Sequence, residues 1–329
     1  DLLDVECTNL GVFCPTGRLV VRYAGHPVLD LETEFLHQGL PQRQLIAREA
    51  PRSASAPITA PSTSYPMGQI LHKLLQMPNT ASKAKTIRIY DHEVQGGTVL
   101  KPLTGMHSDG PSDACVLRPL ETQGPFALAL GAGINPQYGK LDPYRMAISV
   151  IDEAVRNVVA VGADPQRIAI LDNFCWGDPL RPETLGELIA ACQGCHDAAI
   201  YYRAPFISGK DSLNNEYLGS DGQRHAILPT LLISSLGILS DIQHTTSLDL
   251  KIPGSSLYRI GDFRPRYGGS ALLEHTAPPP SADCTVPDLP ALAPQVYSGL
   301  HQAIRAGWVL ACHRSEERRV GKECRSRGS

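Results

Sequence analysis

The sequence is poor in charged residues and has almost no excess of either sign. Charged side chains make up 19% of its 329 residues, with 30 Lys and Arg against 33 Asp and Glu. Proteins that bind nucleic acid or an anionic membrane through their overall field carry a marked excess of positive charge. We therefore expect neither nucleic acid nor a membrane among the partners of this chain.

Long apolar runs are also missing. None approaches the roughly 18 to 20 residues that a membrane-spanning helix needs, and the longest candidate, 228–239, contains a proline, a threonine and two serines. No secretory leader is recognisable, and the sequence reads as a fragment that starts inside a larger protein. Its nine cysteines are an odd number in apolar sequence contexts, which favours reduced thiols and a cytoplasmic location.

Three widespread catalytic signatures are absent. The Walker phosphate-binding loop, the Gly-x-Ser-x-Gly nucleophile elbow and the His-Glu-x-x-His metal motif do not occur, and the eleven histidines form no cluster with metal-binding spacing. One short pattern, Cys192-Gln193-Gly194-Cys195-His196, fits the haem c attachment motif. Because small and apolar residues recur around it with a helical period, we interpret it as helix packing rather than as a haem or zinc site.

The residues that are present predict a layered globular fold. Hydrophobic residues make up 42%, interrupted by 29 glycines and 27 prolines, and the length predicts about two domains. Strand-like runs occur at 18–23, 86–90, 98–103, 114–118, 126–130, 167–171, 205–208, 230–239 and 256–260, and helical patterns at 67–76, 143–158, 182–203 and 294–306. Strands that alternate with long helices predict an α/β or α+β architecture.

The long helix that begins at Asp142-Pro143 carries the first candidate site. Glu153 and Asn157 are four residues apart, so they lie on one face of the helix, at the edge of its apolar stripe. A carboxylate and an amide in this position can offer oxygen ligands to a hard cation such as Mg²⁺. Taken alone, the pair is more typical of a solvated helix edge.

The second candidate, Asp172-Asn173, comes directly after the predicted strand 167–171. Ligands of open α/β sheets tend to bind outside the carboxyl ends of the strands, so an Asp here is well placed to contact a nucleotide hydroxyl or a metal. Asp and Asn also favour the turns that end strands, and this alternative stays open.

The third candidate is the polar run 208–216. Gly209 would admit a phosphate, Lys210 would neutralise it and Asp211 would hold Mg²⁺ beside it. A hairpin turn is the alternative. Asp113, just before the strand at 114–118, is either a further cation ligand or a turn residue.

Several of these segments, taken together, resemble one enzyme family. The runs YDHEVQGG at 90–97, LDPY at 141–144, DEAVRN at 152–157, VGADP at 161–165, LDNFCWG at 171–177 and GKDSLNNE at 209–216 are similar to phosphoribosylformylglycinamidine synthase. This is the ATP-dependent amidoligase of purine biosynthesis, which uses ammonia from glutamine. The resemblance extends from Asp1 to about His313.

The resemblance implies a fold of two tandem repeats, each with a sheet-forming half like that of aminoimidazole ribonucleotide synthetase and an α/β C-terminal half. It implies that residues 1–50 end the first repeat and that 86–249 are the sheet-forming half of the second repeat. The Pro-, Ser- and Ala-rich composition after residue 50 and the apolar face at 67–76 predict that 51–85 are a linker with a short helix. Residues 250–313 would be a truncated C-terminal half. We interpret 314–329, where charge is dense and no apolar face exists, as a foreign or disordered tail rather than as a basic nucleic-acid tail.

The resemblance also implies roles for individual residues. Asp113, Glu153, Asn157 and Asp211 match positions that bind Mg²⁺ with nucleotide phosphates. Asp172 and Gly209 match ATP-contacting positions, and Ser212 matches a position that contacts the formylglycinamide ribonucleotide. Lys210 stands where some members have an Asn metal ligand; a protonated Lys cannot ligate Mg²⁺, so we assign it to the nucleotide phosphates.

The reaction implied is activation of the amide oxygen of the substrate by ATP to an iminophosphate, from which ammonia displaces phosphate. The implied partners are the upstream first repeat, which carries the catalytic His of the family, and a glutaminase domain or subunit. A non-catalytic, structural nucleotide-binding half is the alternative function. A homodimeric synthetase of the same superfamily is disfavoured by the remnant of a first repeat in 1–50.

Overall fold

The computed structural model describes residues 5–49, 66–89, 94–261, 266–274 and 283–315. The chain divides into two compact units, the first ending at Ile46 and the second beginning at Ala47. In the first unit, strands β1 (Arg18–Tyr23) and β2 (His26–Glu32) form an antiparallel hairpin, followed by helix α1 (Thr33–Gln38). Ala24 and Gly25 both have positive φ, 48° and 83°, as the tight turn of such a hairpin requires.

The second unit contains the remaining regular elements of the described ranges. Its helices are α2 (Met67–Gln76), α3 (Ala84–Ile89), α4 (Pro136–Leu141), α5 (Pro143–Ala160), α6 (Pro182–Tyr202) and α7 (Ala293–Arg305). Its strands are β3 (Thr98–Leu100), β4 (Leu103–Thr104), β5 (Gly110–Pro111), β6 (Cys115–Leu117), β7 (Ala127–Ile134), β8 (Ile168–Cys175), β9 (Phe206–Ser212), β10 (Glu216–Leu218), β11 (Arg224–Ala226) and β12 (Thr230–Leu239).

A six-stranded mixed sheet organises this unit. Its strand order is β3-β6-β7-β12-β8-β9, and every neighbouring pair is antiparallel except β8 and β9. As a result β7, β8 and β9 run in the same direction, and their carboxyl ends meet at one edge of the sheet. The predicted mixed α and β fold class is confirmed.

The core lies between the sheet and α5. Along β12 the side chains alternate between half-buried and buried, with Leu231, Ile233 and Leu239 on the buried face, as a strand covered on one side should show. Helix α5 begins with Asp142 as its N-cap, whose carboxylate accepts from the Arg145 amide, and Pro143 follows at the first helical position, as the sequence predicts. Trp176, directly after β8, is completely buried.

Two predicted strands are wrong. Residues 84–89 form α3 rather than the start of a strand at 86–90, and the Ser82 hydroxyl accepts from the Ala84 amide at the beginning of this helix, which satisfies a free N-terminal donor. Tyr90 lies outside the described residues. Residues 256–260 form no strand and are exposed.

Two other strands are longer than predicted, and this changes the setting of two candidate sites. Strand β8 continues through Asp172 and Asn173, and β9 continues through the first part of the polar run to Ser212. The backbone of Asp172 pairs with Ile233 on one side and with Gly209 on the other. These ladder hydrogen bonds outweigh the local turn preference of Asp and Asn. No helix in the described part of the chain is long and apolar enough to span a bilayer.

Candidate functional site

Two glycines of β7 allow α5 to lie unusually close to the sheet. A Cβ atom placed on Gly133 would be 2.9 Å from the Val150 carbonyl carbon, and one on Gly131 would be 2.8 Å from Cβ of Asn157. Both distances are shorter than ordinary carbon contacts, so only glycine fits. The Gly-x-Gly spacing in β7 therefore sets the position of the helix that carries Glu153 and Asn157.

Glu153 and Asn157 are fixed against the edge of β7 by hydrogen bonds. The Glu153 carboxylate accepts from the Ile134 amide at 3.1 Å, and the Asn157 side-chain amide donates to the Ala132 carbonyl at 2.6 Å. Both residues are buried, at 7% and 2% exposure. They are thus not a solvated helix edge, and Asn157 keeps its side-chain oxygen for a further partner.

Asp113 joins this pair through residues near the end of the described chain. The guanidinium of Arg314 lies 2.9 Å from the Glu153 carboxylate, 2.6 Å from the Asn157 oxygen and 3.8 Å from the Asp113 carboxylate. His313 contacts the same Asp113 carboxylate at 2.8 Å. Three residues predicted to hold Mg²⁺ thus surround one positive charge. We call Asp113, Glu153 and Asn157 the carboxylate–amide group.

Residues 312–315 cross this group as a strap. The Cys312 amide donates to the Ser247 carbonyl, and Arg156 on α5 donates to the Ser315 carbonyl. The Arg314 side chain is only 10% exposed, and that of Asp113 is 4% exposed. Arg314, which the sequence analysis assigns to a tail, is therefore packed into the unit that contains the site. Residues 316–329 of that tail lie outside the described residues.

Asp172, Gly209 and Asp211 form a second group on β8 and β9. A Cβ atom on Gly209 would be 2.8 Å from the carboxyl carbon of Asp172, so glycine is required for the carboxylate to lie over this backbone. Partial burial raises the pKa of Asp172 above its usual value, and the nearby negative charge of Asp211 adds to the increase. A carboxylate with these surroundings gains from a cation or from a hydrogen-bond donor.

Lys210 and Ser212 alternate with these residues along β9. Consecutive strand residues point to opposite faces, so Lys210 and Ser212 project away from the face that carries Asp172 and Asp211. Lys210 is exposed. The Ser212 hydroxyl contacts the Asn215 side-chain oxygen at 3.2 Å, in the turn that follows β9.

The two groups lie on the same face of the sheet and at the same edge, but on different strands. Gly133 pairs with Ile233, which pairs with Asp172, which pairs with Gly209. Two strand spacings of about 4.8 Å separate β7 from β8 and three separate it from β9, which places Asp172 about 10 Å and Asp211 about 14 Å from β7. Asp211 therefore does not join the other three predicted metal ligands in one coordination shell.

A cleft of about 390 Å³ adjoins Asp172. Its other lining residues come from β8, β9 and α6: Phe174, Cys192, Cys195, His196, Ala199, Ile200 and Phe206. The Cys-x-x-Cys-His pattern thus lies in a helix, as predicted. His196 pairs with Asp197 at 2.9 Å, and burial raises the pKa of the Cys195 thiol.

The donor chemistry of the carboxylate–amide group suits a hard cation, since carboxylate and amide oxygens are the ligands that Mg²⁺ accepts. In the described part of the chain, no three His, Cys, Asp or Glu side chains are arranged to hold a metal ion. The carboxylate–amide group offers two carboxylates and one amide oxygen, which suffices for Mg²⁺ only where water or phosphate oxygens complete the shell.

A comparison with protein families decides the kind of domain that carries this site. Residues 111–239 match the family described as "AIR synthase related protein, N-terminal domain". This region is similar to AIR synthase-related N-terminal domains. It includes Asp113, β7, α5, β8 and β9, and hence every candidate residue from both groups.

Curated relatives extend the similarity beyond this domain. The chain is 35% identical over 280 residues to the phosphoribosylformylglycinamidine synthase subunit PurL of Rhodopseudomonas palustris strain TIE-1, which covers 82% of this chain and 35% of that protein. It is 35% identical over 269 residues to PurL of Methanocaldococcus jannaschii, with 81% and 35% covered. The predicted resemblance to this synthase is confirmed, and the chain spans about a third of the length of these relatives.

Solved structures of PurL are also similar. T. maritima PurL complexed with ATP has a TM-score of 0.48 and 20% identity, covering 70% of this chain and 32% of that one. T. maritima PurL complexed with FGAR has a TM-score of 0.46 and 22% identity, with the same coverage.

Two features of the site are not among those predicted from the sequence. The contacts of Arg314 and His313 with the acidic residues were not predicted. These residues follow α5 by more than 150 positions, and nothing in the sequence indicates that they pack beside it. The alternating Gly131 and Gly133 were a readable signal, since glycines two apart in a strand indicate close approach of another backbone.

Proposed function

We propose that this chain supplies a nucleotide- and magnesium-binding half of a phosphoribosylformylglycinamidine synthase. The observation that carries the proposal is its 35% identity to PurL over 280 residues. The complete enzyme would convert formylglycinamide ribonucleotide, ATP and glutamine-derived ammonia to formylglycinamidine ribonucleotide, ADP and phosphate. The upstream repeat and a glutaminase are the partners that this activity requires, and the cytoplasm is its location.

The geometry supports a different role for each of the two groups. Asp113, Glu153 and Asn157 would hold Mg²⁺, whose role is to neutralise the phosphoryl charge. Asp172 would contact the nucleotide beside the apolar cleft, over a backbone that Gly209 keeps open. Asp211 would add negative charge on the same face and bind a metal at a second position.

Lys210 and Ser212 have a different place in the proposal. Because both project from the opposite face of β9, they would meet a phosphate or the ribonucleotide only beyond the end of the strand, near the turn that contains Asn215. A role for Ser212 in substrate binding therefore depends on that turn.

Ligand-induced stabilisation tests the nucleotide site directly. Mg²⁺ with ADP should raise the melting temperature of the chain, because a ligand at roughly one hundred times its Kd adds about 2.7 kcal/mol. Asp211→Asn should reduce the increase. Asp221→Asn is the matched control, since Asp221 is exposed and pairs with His225 in the turn between β10 and β11. A folded wild-type chain with no shift at millimolar nucleotide would contradict the proposal.

A structural, non-catalytic nucleotide site is the second candidate function, and the burial of Glu153 and Asn157 against β7 favours it. ATP consumption by the chain joined to its upstream repeat distinguishes the two functions. Loss of turnover in Glu153→Gln at unchanged stability indicates a catalytic nucleotide. Unchanged turnover with reduced stability indicates a structural one.

A further inference from the structure

The carboxylate–amide group already holds a cation that belongs to the chain. Arg314 places its guanidinium within 2.9 Å of the Glu153 carboxylate and 2.6 Å of the Asn157 oxygen, with the Asp113 carboxylate at 3.8 Å. Its backbone amide also donates to Asp113, at 3.4 Å. A single guanidinium thus contacts all three residues that the proposed function assigns to Mg²⁺.

We infer that Arg314 is an internal competitor of the metal, and that the strap 312–315 must leave the site before Mg²⁺ can bind. This inference rests on the proposed function, because it concerns which cation occupies the same site. The guanidinium and the metal would use the same oxygen atoms, and two positive charges cannot share them without strong repulsion.

The burial of the site explains why a substitute cation is needed. The Asp113 and Glu153 side chains are 4% and 10% exposed, and an uncompensated buried carboxylate is costly. Arg314 supplies the compensating charge through charge-assisted hydrogen bonds, for which its planar group is well suited. The site is therefore stable without metal, and Mg²⁺ can enter it only when Arg314 leaves.

The strap is held on both sides of Arg314 by other contacts. The Cys312 amide donates to the Ser247 carbonyl, the Ser315 carbonyl accepts from the Arg156 guanidinium, and His313 contacts the Asp113 carboxylate at 2.8 Å. Each hydrogen bond of this kind contributes at most a few kcal/mol of net stability. For Mg²⁺ to bind, the contact between His313 and Asp113 must therefore break together with those of Arg314.

Calorimetric titration of the full chain with Mg²⁺ alone tests the inference. Arg314→Gln should bind Mg²⁺ at least about tenfold more tightly than the wild-type chain, because the competing charge-assisted hydrogen bonds are gone. Arg305→Gln is the matched control, since Arg305 lies exposed in the last turn of α7, and its Mg²⁺ affinity should equal that of the wild type.

The melting temperature gives a second, independent readout. Without divalent metal, Arg314→Gln should be less stable than the wild type or unfolded, and Mg²⁺ should restore its folding while K⁺ at equal ionic strength should not. Failure of Mg²⁺ to restore it would overturn the inference, as would an affinity within twofold of the wild type. If the wild type and Arg314→Gln bind Mg²⁺ equally, only the inference fails. If neither binds Mg²⁺, with or without ADP, the proposed function fails as well.

Discussion

The close approach of α5 to β7 makes a quantitative prediction for Gly133→Ala. The added methyl group would lie 2.9 Å from the Val150 carbonyl carbon and 3.0 Å from the Ala154 amide nitrogen. Both are backbone atoms in the middle of a buried helix, so neither can turn aside as a flexible side chain would. Overpacking of this kind costs about 1–3 kcal/mol, and we expect the upper end of that range because the helix must move as a whole.

Gly299→Ala is a matched control with the opposite expected sign. Gly299 lies inside α7, and a Cβ atom there meets nothing within 4 Å. Replacing an unhindered helical glycine by alanine should stabilise the chain by about 0.5–1 kcal/mol. The same chemical change, a single methyl group, is thus predicted to destabilise at one site and to stabilise at the other.

Equilibrium urea unfolding of both variants provides the assay, followed by the fluorescence of the buried Trp176 and by circular dichroism. Displacement of α5 by the first substitution should also weaken the Mg²⁺-dependent binding of ADP, because Glu153 and Asn157 move with the helix. If Gly133→Ala is as stable as the wild type, the spacing of helix and sheet described above is wrong.

Three other predictions concern buried charges and thiols. Asp152→Asn should destabilise the chain by about 3–5 kcal/mol, measured by urea unfolding, because the Asp152 carboxylate accepts from the Tyr202 and Tyr297 hydroxyls and pairs with Arg156 at 2.9 Å. The pKa of Asp172 is raised in the folded chain, so ionisation of this carboxyl destabilises the folded state as the pH rises above the usual pKa of Asp. Over the same rise in pH, the melting temperature of Asp172→Asn should increase relative to that of the wild type. Burial raises the pKa of Cys312 to about 12, and mass spectrometry after alkylation at pH 8 should find Cys312 unmodified while the exposed Cys14 reacts.

The sequence permitted prediction of the elements that local signals define. The capping Asp142, the apolar period of α5 and the alternation in β12 each act within a few residues, and α5, α6, α7 and β12 lie within one or two residues of their predicted bounds. The wrong strand prediction at 86–90 also came from a local signal. β-Branched residues occur in that short helix, and they favour a strand only where a partner strand exists.

The lengths of β8 and β9 depend instead on which strands become neighbours. Asp172 and Gly209 are extended because each has a ladder partner, and no local pattern identifies that partner. The candidate site shows the same limit. The spacing of Glu153 and Asn157 predicts a shared helix face, whereas the position of Arg314 beside them depends on how the whole second unit folds.

The separation of the two groups limits what ligand could use both of them. Asp113, Glu153 and Asn157 lie beside β7, while Asp172 lies about 10 Å away across two strand spacings and Asp211 about 14 Å away across three. A small anion would contact one group only. A nucleotide whose base or ribose lies by Asp172, with its phosphates extended along the sheet edge, would contact both.

A double-mutant cycle on ADP binding in the presence of Mg²⁺ tests this geometry. Glu153→Gln and Asp211→Asn are too far apart to interact directly, and substitutions at such distances usually add within about 0.3–0.5 kcal/mol. If one nucleotide spans both groups, the binding losses should instead be coupled by more than this margin, because the first substitution already releases part of the ligand from the second group. Strictly additive losses would show that the two groups serve separate ligands, and the continuous nucleotide site proposed here would then be wrong.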